Sequence, residues 1–381
     1  MPTLNEGGGE RVVSELSLNL PDSIERVIVL FKKEVFYPYK GKLISLDIPL
    51  FNNLFFRIYY FFVAVLRFKK LLKTEKPNLV ISFGVPANII NILTNKKAVL
   101  RIDTFMSSLP SKTYKALARF FYKKAFNIIC VSKVSAKDLV NNFNIKENKI
   151  KVIYNPINIK KIKELALEPI KNEYENIFNK PVIITIGRLA EGKNHLRLIK
   201  IFKEIKNTVK EAQLVILGTG KLEKELKKTI KDLELEESVH LLGWQANPFN
   251  FLAKSKLFVL PSSREGLPCS ILEAMASGLP IVSADCKAGP REILAPRTSI
   301  DSQAETIEYA DFGILTPVFE KEGSQSNYLT ENEEIFKKAV TMVLTDKNLA
   351  DNLTKKSLQR AEDFDIIKII KEWNILNNFS I

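Results

Sequence analysis

Cysteine is scarce in this sequence. Cys130, Cys269 and Cys286 are the only three; they lie far apart, and no two form a C-x-x-C pair. An odd, sparse set excludes a disulfide framework and fits a reducing compartment. A long apolar run is missing as well. The longest uncharged stretch near the amino end, IYYFFVAVL from Ile58 to Leu66, falls short of the roughly 18–20 residues that a membrane span needs. Met1 leads into a polar, glycine-rich stretch with no apolar core, so no secretory leader is expected and a cytoplasmic location is. Compositional bias is lacking too. With 46% hydrophobic and 26% charged residues over 381 positions, the chain reads as globular, with two or three domains, and not as disordered or collagen-like.

Charge is present in excess, but only on one side. Residues 1–155 hold 25 Lys and Arg against 11 Asp and Glu, which accounts for the whole net charge of +14 and leaves the remainder neutral. A one-sided basic field points to an anionic partner: a membrane surface, a nucleic acid or a phosphorylated substrate. Apolar runs that read as strands alternate with amphipathic runs throughout. In the first half they are RVIVLF, NLVISF, AVLRI, NIICVS and KVIY; in the second, VIITIG, QLVILG, SVHLLG, LFVLP, PIVSAD and GILTP. Such alternation predicts an α/β protein of parallel sheets wrapped by helices, in two doubly wound domains facing a cleft. Residues 155–180 read as a connector. The expected domains are 1–158, 159–360, and a terminal helix within 361–381 that crosses back to the first.

In open α/β domains ligands sit beyond the carboxyl ends of strands. After VIITIG, Arg188 and Lys193 share one loop, where a planar fork and a point charge together suit a diphosphate without a metal. Gly218 and Gly220 end QLVILG and permit close backbone approach. The richest segment is LFVLPSSREGLPCSILEAMASGLPIVSAD. Pro268 suits the first turn of a helix that closes at Gly278. The N–H groups of Gly266, Leu267, Cys269 and Ser270 would point from its start, an anion site backed by the helix dipole. Glu265 lies on the loop and Glu273 two turns along; ionised carboxylates only accept hydrogen bonds, which suits hydroxyl-rich sugar and ribose. A surface role fits Glu273 poorly, because its neighbours are Ile271, Leu272, Ala274 and Met275.

These pieces resemble the retaining family 4 glycosyltransferases of the GT-B fold. The resemblance rests on GRLAEGKNHLRLI, ILGTGKLEKEL, LLGWQANP, EGLPCSILEAMASGLPIVSADC, AGPREIL and GILTP, with weaker matches in GGGERVV, ISFGVPANII and VIYNPIN. GPREIL is similar to the bacterial surface-polysaccharide subgroup. The resemblance implies that Arg188 and Lys193 bind the donor diphosphate, Glu273 the ribose and Glu265 the donor sugar. It further implies that the EGLP amides contact sugar and phosphate, and that the Gly7–Gly9 loop, with Gly8 and Gly9, faces the donor. It implies transfer of a hexosyl or N-acetylhexosaminyl group from a nucleotide sugar, UDP being expected over GDP, to a lipid-linked or glycan acceptor. No metal and no cofactor are needed.

Two departures from the family bear on the first half. Relatives begin with a strand before the GG-x-ERV loop, so the first domain is expected to lack its first strand, because Met1 is followed almost at once by that loop. Many relatives carry a histidine in a first-domain loop; here the two histidines, His195 and His240, both lie in the second half, and Asp103 is the candidate polar group on the acceptor side. His240, in an apolar strand, reads as structural. The D-x-D of Asp363 and Asp365 precedes a terminal helix and reads as a cap. In FNNLFFRIYYFFVAVLRFKKLLK, six of the eight residues from Phe55 to Phe62 are aromatic, too many for one core stripe. Aromatics beside Lys and Arg match an interfacial segment on anionic lipid, so peripheral docking on the inner face of the membrane is expected. Other readings are a GT-B sugar-nucleotide epimerase, a phosphorylase, a degenerate enzyme, or a non-catalytic basic nucleic-acid-binding protein. The last gives no reason for two glutamates spaced E-x(7)-E, so no nucleic-acid partner is expected.

Overall fold

The computed structural model describes residues 1–5, 7–49, 54–320 and 328–374; the side chains of 54, 55, 57 and 374 are also outside the description. The chain forms two compact units, one from Met1–Pro156 with the helix Ile366–Asn374, the other from Ile157–Asp365. Residues 375–381 of the expected terminal segment lie outside the described residues. The stretch read as a connector holds the helices Ile159–Ala166 and Asn172–Phe178, both in the second unit. Ile159 and Ile162 are buried, so an apolar stripe fixes the first of them to its domain.

Among the described residues, the first unit carries six parallel strands in two sheets. β1 (Val27–Leu30) pairs with β2 (Lys42–Ser45). β3 (Ile81–Phe83), β4 (Val99–Ile102), β5 (Asn127–Cys130) and β6 (Ile150–Val152) form the other sheet in that order. β4 is buried along its whole length, as the continuous apolar run AVLRI requires of a strand covered on both faces. Before β1, Met1–Leu4 run alongside its far end: Leu4 forms a parallel bridge with Val35, and the Phe31 amide donates to the Pro2 carbonyl at 3.0 Å. Gly8 and Gly9, expected in a loop, are the first two residues of the helix Gly8–Asn19. Burial of Val12 and Leu16 on one face outweighs the poor helix propensity of two glycines in its first turn.

Among the described residues of the second unit, seven strands make one sheet: β7 (Val182–Ile186), β8 (Gln213–Leu217), β9 (Val239–Gly243), β10 (Leu257–Leu260), β11 (Ile281–Ala284), β12 (Glu308–Ala310) and β13 (Gly313–Thr316). Their spatial order is β12-β13-β11-β10-β7-β8-β9, and only the β12–β13 pair is antiparallel. The order carries a functional consequence. From β7 the chain moves outward through β8 and β9, then returns to place β10 on the other side of β7 and continues through β11. The direction of winding therefore reverses between β7 and β10, and loops leaving these two strands must part and open a crevice at their carboxyl ends.

Candidate active site

The loops on either side of that reversal carry Arg188, Lys193 and Glu265, three of the residues singled out from the sequence. The loop after β7 runs from Gly187 to Asn194, and the loop after β10 from Pro261 to Pro268. They are tied together through the backbone. The Ser263 amide donates to the Gly192 carbonyl at 2.9 Å, and the Asn194 side-chain amide donates to the Pro261 carbonyl at 2.8 Å. Asn194 adopts a left-handed conformation (φ 56°), which asparagine tolerates better than most residues, and from there the helix His195–Thr208 departs.

Across this joint Lys193 Nζ donates to Glu265 Oε1 at 2.6 Å. The lysine side chain is 22% and the glutamate side chain 10% exposed, so the pair is shielded from bulk water yet reachable. The lysine stem crosses Gly187: a Cβ built there would stand 3.5 Å from Lys193 Cε. An ammonium has three N–H donors, so one held by Glu265 leaves two for an anion. Arg188 lies on the same loop, exposed, with no ion pair among the described residues. Arg264 was not picked out from the sequence. Its guanidinium rests over Gly192, with Nε 3.2 Å from where a Cβ would stand; the signal for it was a cation adjacent to Glu265 on a loop already marked.

The helix Cys269–Ala276 starts directly after the Glu265 loop and buries Ile271, Leu272, Ala274 and Met275. Pro268 is its N-cap, one residue ahead of the first-turn position expected, and Gly278 comes just after its end at φ 80°. Its extended backbone (φ −69°, ψ 106°) meets the conformational requirement of an N-cap, and with no side-chain acceptor it leaves the first-turn N–H groups uncapped by a side chain. Gly266, Leu267 and Pro268 are buried. Gly289, from the loop after β11, sits at φ 94°, and a Cβ there would fall 2.4 Å from Pro268 Cδ. The EGLP turn thus depends on a glycine more than twenty positions away. Glu273 is buried at 4% exposure, as its apolar neighbours suggested.

Gly218 and Gly220, read from the sequence as permitting close backbone approach, stand tight against the neighbouring loop. A Cβ at Gly218 would stand 2.1 Å from the Gly187 carbonyl oxygen, and one at Gly220 would stand 2.4 Å from that of Leu189. What they approach closely is the backbone of the Arg188 loop, which they hold in place.

His195, next to this joint, is 1% exposed. Burial, and then the charge of Lys193, pull its pKa from 6.5 down to about 3. Between those values an unfolded chain takes up a proton that the folded chain refuses, so stability falls as pH drops below 6.5. At pH 5 the difference is about 2 kcal/mol, taking 1.36 kcal/mol per unit over roughly 1.5 units. Thermal melts at pH 7 and pH 5 should show a smaller loss for His195→Asn than for the native chain, and equal losses would refute a neutral buried histidine. His240 is held by Gln213, with Nε2 2.8 Å from Oε1, in keeping with a structural role.

In the first unit, Asp103 lies just past β4. Arg101, fully buried, donates through Nε to Asp103 Oδ1 at 2.9 Å and through Nη2 to Asn155 Oδ1 at 2.6 Å, and lies over the Trp373 ring at 5.1 Å. Burial raises the Asp103 pKa against the lowering pull of Arg101. Asp103 faces the helix start at Gly9, where a Cβ would stand 3.4 Å from Oδ2. Asp103 and Gly9 therefore adjoin, with Gly8 preceding in the same turn. The D-x-D near the carboxyl end does not act as one unit: Asp363 pairs with Arg360 at 2.8 Å, and Asp365 forms a parallel bridge with Ile157.

Comparison with known proteins points to one family. Residues 168–304 match the family described as glycosyl transferases group 1, and residues 6–161 match Glycosyltransferase Family 4. An uncharacterized glycosyltransferase of Methanocaldococcus jannaschii is 37% identical over 81% of this chain and 80% of its own length. The N-acetylgalactosamine-N,N'-diacetylbacillosaminyl-diphospho-undecaprenol 4-alpha-N-acetylgalactosaminyltransferase of Campylobacter jejuni is 29% identical over 97% of this chain and 96% of its own. Among solved structures, Anabaena HepE in complex with UDP and glucose superposes with a TM-score of 0.75 at 17% identity, covering 99% of this chain and 98% of that one. That likeness identifies the fold as GT-B.

Proposed function

The chain belongs to glycosyltransferase family 4, and we propose that it moves a hexosyl or N-acetylhexosaminyl group, with retention, from a UDP-sugar to a lipid-diphosphate-linked acceptor in surface-polysaccharide synthesis. The observation that carries the reading is the Lys193–Glu265 pair at the winding reversal, beside a helix start. Lys193 and Arg188 hold the donor diphosphate, aided by the N–H groups of Gly266, Leu267, Cys269 and Ser270. Glu273 accepts from ribose hydroxyls, and Glu265 accepts from the sugar while fixing the Lys193 ammonium. As the bond from C1 to the phosphate oxygen breaks, the diphosphate gains charge, and cations already in position stabilise it without reorganisation. The acceptor hydroxyl forms the new bond on the same face and passes its proton to the departing phosphate oxygen. Asp103 serves the acceptor side, while Gly8 and Gly9 serve the donor. The likeness to a transferase acting on an undecaprenol-diphosphate-linked sugar over nearly the whole chain supports the lipid-linked acceptor.

The deciding experiment is a thermal-shift panel of UDP- and GDP-sugars. One UDP-sugar at 100 times its Kd should stabilise the native protein by about 2.7 kcal/mol, and Glu273→Gln should abolish the shift. A flat response to every nucleotide sugar would refute the reading; an equal response to GDP-sugars would remove the UDP assignment.

Membrane docking belongs to the same proposal. No helix among the described residues is long and apolar enough to cross a membrane. The helix Leu54–Glu75 nonetheless exposes Phe56, Tyr59, Phe62 and Leu66, spaced three and four apart and so on one face, with Lys69, Lys70 and Lys73 beyond them. Residues 51–53 of the aromatic segment lie outside the described residues. An exposed aromatic stripe ending in lysines suits an anionic leaflet. Flotation with phosphatidylglycerol vesicles at low salt should recover the native protein and lose it for Phe62→Ser with Leu66→Ser; equal recovery of both would exclude this face.

A further inference from the structure

β4 carries a charge in its most sheltered stretch. Val99, Leu100 and Ile102 are apolar and buried, and Arg101 among them has no exposed surface. Its guanidinium lies over two rings, 5.9 Å from the centroid of Phe83 and 5.1 Å from that of Trp373. Phe83 ends β3, and the helix Ile366–Asn374 brings Trp373. Arg101 Nη1 and Trp373 Nε1 are both buried with no hydrogen-bond partner among the described residues. Unpaired buried donors lower stability, and a buried ion pair is in general no more stabilising than apolar residues in its place. Stability alone therefore gives no reason for an arginine here.

Its contacts supply another reason. Arg101 and Asp103 are two apart and so share one face of the strand, and Nε donates to Asp103 Oδ1 at 2.9 Å. Nη2 donates to Asn155 Oδ1 at 2.6 Å, on the segment that follows β6. The planar fork is thus anchored at Asn155 and packed over both rings, and a fork held in this way fixes the place of Oδ1. The other oxygen, Oδ2, is not engaged by Arg101. It stands at the helix start, 3.4 Å from where a Gly9 Cβ would be, and the Asp103 side chain is 28% exposed, so a ligand can reach it. A carboxylate with one oxygen fixed and the other reachable is a hydrogen-bond acceptor of set direction.

We propose that Arg101 is a positioning residue for the acceptor. It acts through Asp103, aiming Oδ2 at a hydroxyl of the acceptor sugar beside Gly8 and Gly9, which serve the donor. The inference rests on the transferase reading and on the place of Asp103 in it.

The test is steady-state transfer from the UDP-sugar that gives the thermal shift to an N-acetylhexosamine joined through diphosphate to a short polyprenol. Asp103→Asn and Arg101→Met should each lower kcat/KM for this acceptor by about 10- to 100-fold, the scale of one hydrogen bond to a charged group, and leave the donor KM within about two-fold. Adding Arg101→Met to Asp103→Asn should cost no more than about a further two-fold, as a residue acting through another requires. That double variant removes both charges, so it should melt no lower than the native protein, which separates the kinetic loss from unfolding. Should Arg101→Met alone fold poorly, Arg101→Lys replaces it: the charge stays, but a point donor does not span Asp103 and Asn155, and a loss of at least about ten-fold is expected. Losses that multiply in the double variant, or undiminished kcat/KM in the Arg101 variants, would overturn the inference. A native protein that transfers nothing to this acceptor would bring down the transferase reading, and this inference with it. A native protein that transfers, with Asp103→Asn equally fast, would overturn this inference alone.

Discussion

Replacing Lys193 with Met is expected to lower kcat by about 100- to 1,000-fold, the scale of losing one charged or hydrogen-bonding group aimed at developing charge. Glu265→Gln should cost a similar factor, although Glu265 carries the opposite charge. The reason lies in their 2.6 Å contact. Lysine is a flexible point charge, and Glu265 fixes where that charge stands. Without the carboxylate the ammonium is free to settle against the ground-state diphosphate or in water, and its advantage in the transition state is lost. Two residues acting as one device are not additive, so the double variant should be no more than a few-fold slower than the worse single. Steady-state kinetics on the three variants decide the matter. Losses that multiply would mean that the two side chains act independently, and a raised KM with unchanged kcat would mean that Lys193 only binds.

Much of this site was legible because the chemistry and the local structure lie in the same short runs. The apolar runs VIITI and LFVL could be read as buried parallel strands, and in such a fold a buried strand leads into a loop at the ligand end. Glu273 was recognisable because an acid among Ile271, Leu272, Ala274 and Met275 has to be buried with them on a short helix. Illegible features were those whose partner lies elsewhere in the chain. Nothing local to Gly218 says that it must clear the Gly187 carbonyl, because that approach exists only once β7 and β8 pair. Gly8 and Gly9 looked like a loop, since their preference is local while the burial of Val12 and Leu16 that overrides it is tertiary. β2 and β12 escaped notice for a related reason. Both are short edge strands with partly exposed residues, and neither KLIS nor EYA presents an apolar run or a clean alternation.

Arg291 is the clearest case of a residue whose importance only the fold reveals, and Arg291→Ala is expected to destabilise the protein by about 3–5 kcal/mol, the loss typical of leaving a buried charge without its partner. From the GPREIL run it looked like part of a motif. In the fold its guanidinium donates to Asp285 Oδ2 through Nε at 3.0 Å and Nη2 at 2.5 Å, to Glu308 through Nη1 at 3.0 Å and Nη2 at 2.7 Å, and to Thr298 at 2.9 Å. Asp285 stands just past β11, and burial already lifts its pKa even with Arg291 pulling the other way. Removing the arginine takes away that opposing pull, so the carboxyl rises further. A group whose folded pKa exceeds its unfolded value stabilises most below the unfolded value and loses that contribution as pH rises through the folded one. The gap between native and Arg291→Ala melting temperatures should therefore be wide at pH 7 and narrow toward pH 4. Asp285→Asn with Arg291→Met, which removes the stranded charge, should lose less stability at pH 7 than Arg291→Ala alone. A gap that does not vary with pH would mean that the arginine contributes packing rather than charge. The effect is expected to reach the proposed donor site because the segment that carries Arg291 begins at Gly289, whose backbone lies against Pro268 and the Gly266 carbonyl. Loosening it displaces the EGLP turn, so Arg291→Ala should weaken nucleotide-sugar binding even at temperatures where the chain remains folded.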